Sequence, residues 1–181
     1  MADLSELEYK SLRNTIRERG TLRICLVLIG LASWGALALG LLAADIGRAA
    51  TLVPLVVLAA TFELNFFVHT GVERVGRYLQ VFYEEERGAA GWETLAMHYG
   101  RMFPGGLDPL FVTIFGSAAL LNFVTGFIVT ARPAGWVLVS LAAHGWFGWR
   151  LMTARRAAAS QRAQDLERFR TLRTQQKNPS G

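Results

Sequence analysis

At 181 residues, 52% of them apolar and 18% charged, the chain is long enough for one domain and too apolar for an ordinary soluble one. A single cysteine, Cys25, excludes an internal disulfide and any Cys/His metal pattern. The net charge of +5 would suit nucleic acid in a soluble protein. Here it is segregated: four long segments carry almost no charge and the segments between them carry nearly all of it, the form of a transmembrane bundle with wet loops.

Residues 3 to 20 predict a short amphipathic helix. Ser5 and Glu8 make a capping box, Leu4 and Tyr9 a hydrophobic staple, and Gly20 a natural stop. Tyr9, Leu12 and Ile16 share its apolar face, suited to a membrane surface or another helix. The apolar run that follows, residues 24 to 44, is too long for the core of a signal peptide and predicts the first membrane span. Ala32, Ala36, Gly40 and Ala44 recur along it every four residues, a stripe that would let a second helix approach closely.

After the turn at Asp45-Ile46-Gly47-Arg48 comes a second span, residues 51 to 71, with Pro54 in its first turn. No helix breaker follows, so the helix should run on to about residue 87. Residues 52 to 86, read as one helix, reach about 52 Å against a hydrocarbon core of about 30 Å. The second helix should therefore project into the cytoplasm, ending at Glu84-Glu85-Glu86 as a solvated tip, with Gly88 and Gly91 as terminators. Residues 91 to 103 form a second short amphipathic helix, with Trp92, Leu95, Tyr99, Met102 and Phe103 on one face. That composition suits the headgroup level, with packing on the projecting stem as the alternative. Pro104-Gly105-Gly106 breaks the chain.

The third span runs over residues 109 to 131, with Asp108 as N-cap. After the turn at Arg132-Pro133-Ala134-Gly135, the fourth runs over residues 136 to 152. A basic helix, residues 153 to 175, extends it into water. Its Leu166, Phe169 and Leu172 are too sparse for a heptad seam, and residues 176 to 181 read as disordered.

Four crossings place both termini on one side. Of the nineteen Lys and Arg, only Arg48 and Arg132 fall in the two short turns. The other seventeen share the side of the termini, which the positive-inside rule makes the cytoplasm. The predicted fold class is thus an all-α integral membrane protein of four transmembrane helices, both ends cytoplasmic, in a cytoplasmic (inner) membrane.

Glu63, Asn122 and His144 lie near the centres of the second, third and fourth spans, within about 6 Å of one another in depth. A lone carboxylate at this depth costs roughly 3 kcal/mol or more unless protonated, paired or hydrated. Glu63 with His144 would make a proton- or ion-exchanging site; the same three residues would equally make an interhelical hydrogen-bond cluster that fixes packing. Further along the second helix, Thr61, Asn65, His69, Glu73 and Arg77 follow at steps of four. This stripe, with Arg74 beside it, reads as a solvated or headgroup-level face on which the arginines hold lipid phosphates. His69 and Glu73 have a zinc-site spacing, but two ligands are not a site. His69 and His144 differ by about 10 Å in depth, too far to share a haem.

No catalytic signature is present, and no cofactor or nucleic acid is expected. The expected partners are the bilayer and a membrane protein or a second copy. The favoured function is a non-enzymatic scaffold or accessory subunit that docks through its cytoplasmic helices. The alternative is an oligomeric ion- or proton-coupled transporter using Glu63 and His144.

Overall fold

The computed structural model describes residues 2–44, 49–86, 88, 91–102, 109–128 and 134–178. Among them there is no strand. Five α-helices follow in order: α1 (Ala2–Ala43), α2 (Ala49–Leu79), α3 (Trp92–Met102), α4 (Pro109–Ile128) and α5 (Ala134–Lys177). A π-helical segment, Gln80–Glu84, continues α2. By length and composition Ser5–Ala43 and Leu52–Glu84 are long and apolar enough to cross a membrane, and Phe111–Gly126 is a shorter apolar helix. The turn at 45–48, Arg132 and Pro133 of the second predicted turn, Phe103, the break at 104–106, the Asp108 cap and the end of the tail at 179–181 lie outside the described residues; Ala134 and Gly135, expected in that turn, instead open α5.

Three boundaries differ from expectation. Gly20 does not stop a helix; α1 runs through it without interruption. A single interior glycine costs only about 1 kcal/mol, which flanking helix formers outweigh. Gln176 and Lys177 belong to the last turn of α5 rather than to a disordered tail. Pro54 sits inside α2, because the helix begins at Ala49.

The chain divides into two compact units. One comprises Ile24–Phe66 and Leu107–Arg155, the other Met1–Arg23, Phe67–Gly106 and Arg156–Gly181. The long helices α1, α2 and α5 contribute to both.

The first unit is built on Phe62. This fully buried ring meets Phe115 at 5.5 Å and Phe147 at 6.0 Å, both edge-on. Leu55, Leu58, Ala118, Ala119, Leu151 and Ala154 complete the core, with Val27, Leu31 and Trp34 of α1 packed against it. The helix approach is closest at Gly30, where a Cβ would overlap the Thr61 side chain. The predicted stripe of Ala32, Ala36, Gly40 and Ala44 faces outward instead. The surface is apolar, with Ile24, Leu28, Ile29, Leu39, Val56 and Leu64 all exposed, while Asn65, Ser140, Asn122 and Thr61 are buried.

The second unit has the reverse distribution. Its core combines Leu79, Val81, Ala158 and Leu166 with buried Arg77, Gln80, Glu84, Glu93 and Asp165. Phe169 of α5 packs edge-on to Tyr78 at 5.7 Å and Phe82 at 6.4 Å. Tyr9 of α1 meets Tyr83 at 5.5 Å. Phe169 thus packs on aromatic rings at the end of α2 and its π-helical extension, and Leu166 one turn earlier is buried, which their sparse spacing had hidden.

Candidate functional site

Of the three residues expected at one depth, the structure joins Asn122 to His144 and sends Glu63 elsewhere. His144 Nδ1 lies 2.8 Å from the Ser140 carbonyl, an acceptor only, so Nδ1 carries the proton. Nε2 then accepts from Asn122 Nδ2 at 3.1 Å. The amide orientation is set in turn by Trp34, whose indole N–H, a donor only, reaches Asn122 Oδ1 at 3.4 Å. Trp34 on α1, Asn122 on α4 and His144 on α5 form one directed chain that uses both imidazole nitrogens. The cluster holds two of the three predicted residues, and no ring nitrogen is left for Glu63.

Glu63 takes Arg150 of α5 instead. The contact is a two-point fork, Nε to Oε1 at 2.7 Å and Nη2 to Oε2 at 2.8 Å. The guanidinium lies 4.7 Å from the Phe66 ring centroid and 5.7 Å from that of Phe62, within cation–π range. Arg150 is six residues beyond His144, about 9 Å along the helix. Its side chain reaches back to the carboxylate, which is why depth counted from Cα positions missed it.

The stripe on α2 is an inward face, not a solvated one. Asn65 is fully buried and Arg77 is 5% exposed. Arg77 binds Gln80 Oε1 at 2.5 Å and Glu93 Oε2 at 3.2 Å. Arg13 holds the other oxygen of Glu93 at 2.9 Å, so an Arg–Glu–Arg triad joins α1, α2 and α3. Burial pulls the Arg77 guanidinium below its usual value, against the attraction of Glu93. Arg74 pairs with Asp165 at 3.2 Å. Glu73 pairs with Arg162 at 2.5 Å and lies 3.7 Å from His69 Nε2, which has no hydrogen-bond partner among the described residues. Arg77 is therefore turned away from any lipid phosphate, and Arg74 has a carboxylate of its own. Polar residues at steps of four mark the buried side because the neighbouring helices supply their counter-charges.

The acidic run at the end of α2 is also a joint rather than a solvated tip. Glu84 accepts from the backbone N–H groups of Glu93 and Thr94 at 2.9 and 2.8 Å, and from Thr94 Oγ1 at 2.7 Å. A carboxylate from another helix thereby caps the N-terminus of α3 and meets its dipole. The position where a local cap would stand is Gly91, and a Cβ there would overlap the Glu84 carboxylate. Glu85 holds Arg170 at 2.5 Å. Gly88, at φ +66°, turns the chain in a conformation that side chains resist. No local pattern foretells the cap, since donor and acceptor stand on different helices.

With Glu93 and Thr94 turned inward, α3 leaves Trp92, Leu95, Tyr99 and Met102 exposed, Tyr99 at 67%. The stem-packing alternative describes its inner face, and the expected aromatic stripe is its outer one. Among the described residues, no group of three or more His, Cys, Asp or Glu is placed to hold a metal ion.

No protein family, curated protein or solved structure matches the chain.

Proposed function

We propose that the chain is a four-span protein of a cytoplasmic-type membrane, both termini in the cytoplasm, acting as a non-enzymatic scaffold or accessory subunit. The division into units supports the membrane part. Its edges at Ile24, Phe66, Leu107 and Arg155 fall close to the predicted span edges at residues 24, 71, 109 and 152. The unit they enclose exposes aliphatic side chains and buries amides and hydroxyls, which suits lipid.

The exposed stripe of α3 carries the scaffold part. Its N-terminus is fastened to Glu84, thirteen residues beyond Gly71, or roughly 20 Å of helix past the end of the second span. At that distance Trp92 faces water, not headgroups, and an exposed Trp with Leu95 beside it on a rigid support suits a protein partner. The transporter alternative is weaker, because Glu63 and His144 have separate partners, Arg150 and Asn122.

A photocrosslinker placed at Tyr99 in cells tests the reading. A discrete protein adduct, lost when Trp92 and Leu95 become serine, is expected. Lipid adducts alone, or none, would remove the scaffold function.

A further inference from the structure

One charged group interrupts the apolar surface of the first unit. Arg150 holds Glu63 in its two-point fork, yet the Glu63 side chain is 43% exposed and that of Arg150 20%. Large apolar side chains stand around the pair: Val56, Leu64, Trp146 and Trp149 are all exposed. Ala60, also exposed, and Val56 precede Glu63 by one and two turns of α2. Trp146 precedes Arg150 by one turn of α5.

The fork does not exhaust the pair. A guanidinium has five N–H donors, and only those on Nε and Nη2 meet the carboxylate. The carboxylate keeps lone pairs on its open side. Water would serve these groups, but the surface around them suits lipid, where an unmet polar group is costly. An acid beside a base is its own complement. The fork holds both at one depth, so a two-fold axis along the membrane normal sets Arg150 of one copy against Glu63 of the other, twice over. The four charges then alternate. Trp146 and Trp149 supply the apolar anchors such a contact needs, and the small Ala60 lets two α2 helices approach.

We propose that this face is the contact of a membrane dimer of the chain, in which the two Glu63–Arg150 pairs close on each other. The inference rests on the membrane reading and names a second copy as the occupant of this face.

The test is energy transfer between donor- and acceptor-labelled full chains in phosphatidylcholine vesicles, read as the lipid-to-protein ratio rises. Transfer should follow a monomer–dimer equilibrium. Glu63→Gln and Arg150→Gln should each weaken the dimer by about tenfold or more, because each leaves two like charges facing. Mixed together, these two variants should pair more tightly than either does alone, since one acid–base contact survives. Trp146→Ala, a surface change that keeps both charges, should also weaken the dimer. Leu39→Ala, on the exposed side of α1, should not. A monomer at every ratio would leave the pair to headgroups, water or another protein, and would overturn the proposal. So would mixed variants that pair no better than each alone, or equal losses from Trp146→Ala and Leu39→Ala. A chain that stays soluble without detergent would sink the membrane reading itself; a membrane-bound monomer would sink only the dimer.

Discussion

Arg150 grips Glu63 at two points, 2.7 and 2.8 Å, and so cancels the one acidic charge expected deep in the apolar part of the chain. Breaking such a pair from one side costs more than removing it whole.

Arg150→Met alone should therefore destabilise the protein by about 1–3 kcal/mol, at the low end for a buried pair because Glu63 is 43% exposed. The double substitution Glu63→Gln, Arg150→Met should recover most of that loss. Thermal melts of the four variants in detergent give the coupling, and additive losses would mean the two side chains act independently.

Asn122 is the link between two donors and acceptors that have few other choices. Asn122→Leu leaves the Trp34 indole and His144 Nε2 without this partner, at a cost of about 1–3 kcal/mol. A loss at Asn122 under about 0.5 kcal/mol, the range of surface changes, would deny the chain a packing role.

Glu84→Ala removes the cap from α3 and three hydrogen bonds with it. A loss of about 2 kcal/mol is expected. Hydrogen exchange should accelerate over residues 92–102 well before the rest of the second unit. Uniform acceleration would mean that α3 is held by its other contacts.

Tyr78 donates to Glu8 at 3.0 Å. Burial and that carboxylate both push its pKa above the usual value. A raised folded pKa means the contribution is fully present below the unfolded value, about 10, and is lost as pH climbs through the folded one. Stability should fall as the pH climbs above about 10, and Tyr78→Phe should flatten that part of the curve. An unchanged slope in the variant would assign the fall to other groups.

Much of the helix plan was legible in the sequence, because apolar run lengths, Gly88 and the Trp92 stripe are local signals. What stayed hidden was rotation about the helix axis. Thr61, Asn65, His69, Glu73 and Arg77 look wet in one dimension and are inward-facing in three, since Glu93 and Arg162 arrive from other helices. Glu63 was legible as needing a partner. Its partner was not, because the reach of an arginine side chain blurs depth by about four residues.

Reporter fusions at the two ends and in the two short turns, read in intact cells, test the membrane arrangement most directly. Both ends should report the cytoplasm and both turns, at residues 45–48 and 132–135, the opposite side, with the protein resisting carbonate extraction. Ends on opposite sides, or release of the chain by carbonate, would contradict it.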